Sequence, residues 1–304
     1  MKPETRSFYE QAVQRTIDHI VGNLDEALDL DTLARDACLS PFHFHRVFRG
    51  MVGETPLELI RRLRMERAAW RLVERELGRT RAVTAIAFDA GYDTHEAFTR
   101  AFRASYNTSP SGFRLRKHAR IELAAPCGVH FMTNGRPMPP FIPRDSGGKA
   151  MQVEITEMPA MRVGAVRHIG PYNQITQAFE RLHVIVERSG LSKADVTALI
   201  AIYYDTPDVT PLDQLRSDAG IALVDGAALP EGLDEQPIPA GRYARTTHVG
   251  PYEQLGDVWA RFMGEWLPAS GHRIGDSASY EIYRNTPMDT PKDQLRTDLY
   301  IPLA

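Results

Sequence analysis

The sequence predicts a multidomain protein: an all-α domain built from a doubled helix-turn-helix, followed by an α+β domain duplicated about a pseudo-two-fold. Three observations carry this. Residues 39–56 (LSPFHFHRVFRGMVGETP) repeat as residues 93–110 (DTHEAFTRAFRASYNTSP), residues 168–218 repeat at 248–298, and a Pro/Gly-rich stretch separates the two kinds of repeat. The 304-residue length agrees, since at roughly 150 residues per domain it allows two cores.

In the first repeat, Phe44, Arg46, Phe48, Arg49 and Pro56 return 54 residues later as Phe98, Arg100, Phe102, Arg103 and Pro110. Upstream, Ala34-Arg35-Asp36-Ala37 returns as Ala87-Phe88-Asp89-Ala90 at an offset of 53, so the second copy carries one extra residue in its turn. Each copy reads as a short helix, a tight turn at Cys38 or Gly91, an N-cap at Ser40 or Asp93/Thr94, and a second helix. At 100° per residue, Phe44, Val47, Phe48 and Met51 share one face of that helix, while Phe42, His45, Arg46 and Arg49 share the other. The second copy sets Phe98, Ala101, Phe102 and Ser105 against Glu96, Thr99, Arg100 and Arg103. One face packs and the other reaches out. Thr55-Pro56 opens a helix running to about Glu76, and twenty residues span about 30 Å, long enough to present two recognition helices to successive major grooves, ~34 Å apart.

Charge divides the chain in the same way. Residues 1–120 hold 20 Lys+Arg against 16 Asp+Glu, whereas residues 121–304 hold 16 against 23. Ten arginines lie between Arg46 and Arg81, a density that suits an anionic partner such as nucleic acid, although five glutamates in the same window also fit a solvated helix face. Apolar runs of only a few residues exclude a membrane span, and the first residues contain no secretory signal, so the cytoplasm is expected. Cys38 and Cys127 form no CxxC pair, which argues against a disulfide framework and against zinc.

Residues 127–149 (CGVHFMTNGRPMPPFIPRDSGGK) lack periodicity, which predicts domains at 1–120 and 151–304 joined by a linker at 121–150. Beyond it, HIGPYNQ at 168–174 returns as HVGPYEQ at 248–254, and IYYDTPDVTPLDQLRSD at 202–218 as IYRNTPMDTPKDQLRTD at 282–298, both at an offset of 80. Each unit predicts a strand (162–169, or 242–249), a helix started by Gly-Pro-Tyr, a strand around Ile202 or Ile282, a Thr-Pro loop and a final strand. Paired, the units form one sheet with helices on one side. Residues kept in both copies, such as His168 and His248, read as structural. Residues that break the symmetry are free to serve a site: Ala201 becomes Glu281, Phe179 becomes Trp259, Leu182 becomes Phe262 and Val186 becomes Trp266. Glu281 shares a strand face with Tyr283. That face is either solvated or, as Ala201 and Leu199 in the first copy suggest, covered.

The segment 8–117, with its two helix-turn-helix units, unequal turns and closing Ser109-Pro110-Ser111-Gly112-Phe113-Arg114, resembles the DNA-binding domain of the AraC/XylS family of transcription regulators. The resemblance implies base-reading positions at Phe42, His45 and Arg46 in the first recognition helix and at His95, Glu96, Thr99 and Arg100 in the second. Glu96 accepts a hydrogen bond from cytosine N4 or serves the helix dipole; both readings stay open. Residues 152–304, through the GPY and EIY motifs, resemble the GyrI-like effector-binding domain. By that resemblance Glu281 matches an acidic pocket residue that meets cationic aromatic compounds; the pocket is expected between the two 80-residue repeats, lined by Glu281, Tyr283, Trp259 and Tyr203. The chemistry agrees, because a buried carboxylate beside aromatic faces offers an ion pair and cation–π contacts.

The two resemblances imply a sequence-specific transcription regulator with promoter DNA, a small-molecule effector and RNA polymerase as partners, associated with the nucleoid, and with no cofactor, metal or catalytic residue. Two other readings stay open: a GyrI-like small-molecule hydrolase with Glu281 as general base, and a ligand-sequestering protein. The doubled helix-turn-helix favours the regulator. Arg46→Ala or Arg100→Ala is expected to weaken operator binding by about 1–3 kcal/mol and to relax one base position. A gel-shift titration showing unchanged affinity and base preference contradicts this docking.

Overall fold

Helices fill the first part of the chain and strands most of the second in the computed structural model, which describes residues 3–74, 81–116, 120–132, 140–144, 150–205 and 210–304. The helices are α1 (Pro3–Gly22), α2 (Leu30–Asp36), α3 (Pro41–Val52), α4 (Pro56–Val73), α5 (Val83–Asp89), α6 (His95–Tyr106) and α7 (Pro110–Arg114). Then follow β1 (Glu154–Met158), β2 (Met161–Ile169), α8 (Thr176–Ser189), β3 (Val196–Tyr203), β4 (Arg216–Leu223), β5 (Asp234–Ile238), β6 (Gly241–Val249), α9 (Leu255–Arg261), α10 (Leu267–Ser270), β7 (Tyr280–Tyr283) and β8 (Arg296–Pro302). They gather into two units that cut across chain order. One comprises Glu10–Pro41 and Met51–Arg144; the other comprises Asp145–Ala304 with Met1–Tyr9 and Phe42–Gly50.

In the helical unit, α4 starts where the sequence predicts. Thr55 and Glu58 form a reciprocal capping box with Pro56 at the first helical position. The helix ends at Val73, short of the expected Glu76. Thr94 caps α6 by accepting from the Ala97 amide. The core joins α4, α5, α6 and α7 through Leu72, Ile86, Phe98, Phe102 and Phe113, with Phe102 ring centroids 4.6 Å from Tyr106 and 5.3 Å from Phe113. Each buried ring contributes roughly 1.5–3 kcal/mol. The two turns are built alike: Leu39 N–H donates to Ala34 O and Tyr92 N–H to Ala87 O. Both need a left-handed residue, Gly91 at φ +83° in one copy and Cys38 at φ +56° in the other.

The expected linker at 121–150 is corrected in its first part. The prolines and glycines at 133–139 and 145–149 lie outside the described residues, but Cys127, Val129 and Phe141 are buried. The cause is a carboxylate that composition does not reveal. Glu66, fully buried on α4, accepts from the Leu123 amide at 2.9 Å and the Phe131 amide at 2.8 Å, and meets His130 Nδ1 at 3.0 Å. Arg62 pairs with Glu54, lies near Glu66 and donates to Val129 O at 2.8 Å. The segment is a strap bound by charge-assisted hydrogen bonds.

The second unit is one eight-stranded antiparallel sheet in the order β1-β6-β8-β7-β3-β4-β2-β5. The expected strands are present, and two more join them. β1 of the first repeat pairs with β6 of the second, while β5 of the second pairs with β2 of the first, so the copies exchange their leading strands. Residues common to both copies do the same work. His168 and His248 each turn Nε2 to a proline carbonyl, Pro171 at 3.1 Å and Pro251 at 3.2 Å, beside Gly170 and Gly250, whose φ of +137° and +142° suits glycine. The Gly170 and Gly250 amides donate to Leu215 O and Leu295 O. The Thr-Pro loop of the first copy, 206–209, lies outside the described residues. Tyr9 accepts from the Ile274 amide at 3.0 Å, so the start of α1 belongs to this unit.

Two substitutions are expected to shift a urea midpoint in opposite directions. Glu66→Ala leaves the Leu123 and Phe131 amides without their acceptor, takes one carboxylate from beside Arg62, which keeps Glu54, and costs about 3–5 kcal/mol. Cys38→Gly removes a left-handed Cβ, a penalty of roughly 1–2 kcal/mol partly offset by glycine's chain entropy, for a net gain of about 0.5 kcal/mol. An unchanged midpoint in the first, or a loss in the second, contradicts these assignments.

Candidate functional site

The two repeats meet where β3 pairs with β7, in the register Leu199↔Tyr283, Ala201↔Glu281 and Ile202↔Tyr280. Alternation along the strands sends Ile200, Ile202, Tyr280 and Ile282 to one face. Ala201, Tyr203 and Tyr283 go to the other, which α8 covers with Ala178 and Leu182. Glu281 lies on that second face, opposite the small Ala201, and is only 2% exposed.

Three aromatic donors hold its carboxylate. Trp259 Nε1 donates to Oε1 at 2.7 Å, and the hydroxyls of Tyr283 and Tyr203 donate to Oε2 at 2.8 and 3.3 Å. Tyr203 and Tyr283 are the same position in the two copies, so one carboxylate on the pseudo-axis serves a symmetric pair of hydroxyls, 3.2 Å apart. Burial pushes the Glu281 carboxyl above its usual range, while these hydrogen bonds and the nearby Arg46 pull the other way. Tyr203 and Tyr283 are raised well above the usual phenol value by burial and by the charge of Glu281. A cavity of about 600 Å³ opens over this group, lined also by Tyr172 and Tyr252. Tyr172 stands edge-on to Tyr203 with centroids 4.8 Å apart, and Tyr252 edge-on to Tyr283 at 5.3 Å.

All four residues read from the sequence as pocket residues, Glu281, Tyr283, Trp259 and Tyr203, therefore converge. Of the residues read as DNA-contacting, His95, Glu96, Arg100 and Arg103 are exposed on α6 with Thr99 partly covered, while Phe98 and Phe102 point into the core. The first recognition helix differs. Among the described side chains of α3 only Arg49 is exposed; His45 is fully buried and Arg46 mostly so, and the side chain of Phe42 lies outside the described residues. The expectation that His45 and Arg46 face outward is corrected: Arg46 lies in the cavity, its guanidinium carbon 4.4 Å above the Trp259 ring. Burial lowers Arg46 to about 10, with Tyr172, Glu281 and Tyr203 opposing the shift. Desolvation, with Arg49 and Arg46 adding to it, pulls His45 down to about 3, so it is neutral at pH 7. Sequence reasoning assigned Arg46 to DNA and missed its place in the pocket. A signal was present in Gly50, a glycine within a helix.

Residues 151–304 match the model of the GyrI-like small molecule binding domain, half of the chain. The chain belongs to the GyrI-like family. Residues 33–116 match a helix-turn-helix domain. The GyrI-like half is 29% identical over 140 residues to a DNA gyrase inhibitor of Yersinia enterocolitica, covering 44% of this chain and 87% of that protein. The helix-turn-helix half is 32% identical over 108 residues to the regulatory protein SoxS of Salmonella typhimurium, covering 36% of this chain and 97% of that one. Among solved structures, the C-terminal domain of EcmrR aligns over 51% of this chain and 98% of its own length, with 19% identity and a TM-score of 0.44. A DNA-binding helix-turn-helix region joined to a GyrI-like small-molecule-binding domain makes this chain a transcription regulator that binds an effector. Among the described residues no helix is long and apolar enough to cross a membrane.

Proposed function

We propose that the effector is a cationic aromatic compound bound over Glu281, and that the outward residues of α6, Arg100 first among them, read promoter bases. The observation that carries the ligand class is the Glu281 carboxylate itself, buried, held by three ring donors and walled by tyrosine and tryptophan faces. A carboxylate in such a place favours a counter-cation, and the surrounding rings add cation–π attraction of about 0.5–2 kcal/mol each. The excess of acidic residues between 121 and 304 attracts the same class of ligand.

Binding suits this geometry better than hydrolysis. A general base must aim a lone pair at the proton it removes, and both oxygens of Glu281 already accept bonds from Trp259, Tyr203 and Tyr283. These contacts fix the carboxylate as a stationary charge. The regulator also meets RNA polymerase at the promoter in this reading.

Tetraphenylphosphonium, with triphenylphosphine oxide as its neutral counterpart, tests the pocket by calorimetry on the full chain. Glu281→Gln keeps the shape and removes the charge, and is expected to weaken cation binding at least tenfold, about 1.4 kcal/mol, without weakening the neutral compound. Burial raises the carboxyl's pKa in the absence of ligand, and a bound cation favours the ionised form. Cation affinity therefore rises with pH through that pKa and levels off above it, and Glu281→Gln loses the dependence. Equal cation affinity in both proteins contradicts the assignment.

A further inference from the structure

Both duplications break their symmetry at one contact. Gly50 on α3 stands where the second helix-turn-helix has Ala104; Gly264 stands where the first GyrI-like repeat has Val184, and Trp259 where it has Phe179. A Cβ built on Gly50 would collide with the Cα of Gly264 and the carbonyl oxygen of Ala260, and one built on Gly264 would collide with the Cα of Gly50. The two backbones touch, an approach that only paired glycines permit. Gly264 lies in a π-helical turn, Phe262–Trp266, a distortion absent from the regular α8 of the first copy. One helical turn before Gly50, Arg46 sits in the cavity over Trp259, within electrostatic reach of Glu281. Gly50, Gly264 and Trp259, which all depart from their repeats, thus meet where α3 is seated.

We propose that Arg46 is an internal cation for the effector pocket, holding the first recognition helix against Glu281 and Trp259 until a cationic ligand takes its place and releases the helix for DNA. This rests on the reading of Glu281 as the cation-binding group. A guanidinium shares with an aromatic cation the features that site selects, a delocalised positive charge and a flat face. A seated α3 keeps Arg46 from the major groove, so pocket occupancy and base reading by this helix exclude one another. Linkage makes the effect reciprocal: whatever unseats α3 raises the apparent affinity for the ligand, by the factor through which the open fraction grows.

The test uses the full chain, tetraphenylphosphonium, calorimetry, and hydrogen exchange of the amides at 43–52. In the wild type the cation is expected to speed exchange across α3 at least tenfold. Gly50→Val, which touches no pocket side chain, is expected to bind the cation about tenfold tighter than wild type, as a freed pocket requires. If that variant fails to fold, Arg46→Gln, flat and neutral, is expected to give the same gain. A cation that binds through Glu281 while α3 exchange stays unchanged overturns the inference and leaves the effector reading standing. If the cation does not bind at all, the effector reading fails, and exchange in Glu281→Gln decides the seating: faster exchange across α3 supports the Arg46 contact and unchanged exchange overturns it.

Discussion

A carboxylate buried at the seam between two repeats is the constraint on which the sheet domain turns. An ionised Glu281 with no compensation is costly in a nonpolar interior. The protein meets that cost with three aromatic hydrogen-bond donors and a guanidinium close by. The surrounding sequence follows from this. Ala201 leaves room opposite Glu281, Trp259 supplies an N–H that Phe179 in the other copy lacks, and Tyr203 and Tyr283 approach the same oxygen from equivalent positions.

Duplication explains why such a site exists. The symmetric residues, His168 with Gly170 and Leu215, and His248 with Gly250 and Leu295, build the same strand-to-helix corner twice. Exchange of β1 and β5 between the copies ties them into one sheet. With the frame fixed twice over, one copy can carry an acidic residue on the pseudo-axis where the other has Ala201. A second carboxylate at Ala201 would face the first across the β3–β7 pair, and the two could not both be ionised.

Much of this is legible in the sequence because repeats are their own comparison. The helix-turn-helix units, their unequal turns at Cys38 and Gly91, and the pocket residues Glu281, Trp259, Tyr203 and Tyr283 are read from three offsets, of 54, 53 and 80 residues. What escaped depends on contacts between distant segments. β1 and β5 are short, partly exposed strands whose pairing is decided across the duplication. The strap after Arg120 is held through its backbone amides by Glu66, so its own side chains carry no periodicity to read. Arg46 was assigned by the helical wheel, which identifies faces but not what covers them. His45 and Arg46 on the second face of α3 are covered although Arg49 is not, and Gly50 records what lies against them.

The account stands or falls on whether Glu281 is an ionised group compensated by a cation. Carbon-13 NMR of glutamate carboxyls, with Glu281 assigned by loss of its signal in Glu281→Gln, reads its titration directly. The account expects a higher titration midpoint in Arg46→Ala than in wild type, since the arginine favours the charged form, and a return toward the wild-type value when tetraphenylphosphonium is added. A midpoint that ignores both Arg46 and the added cation contradicts it.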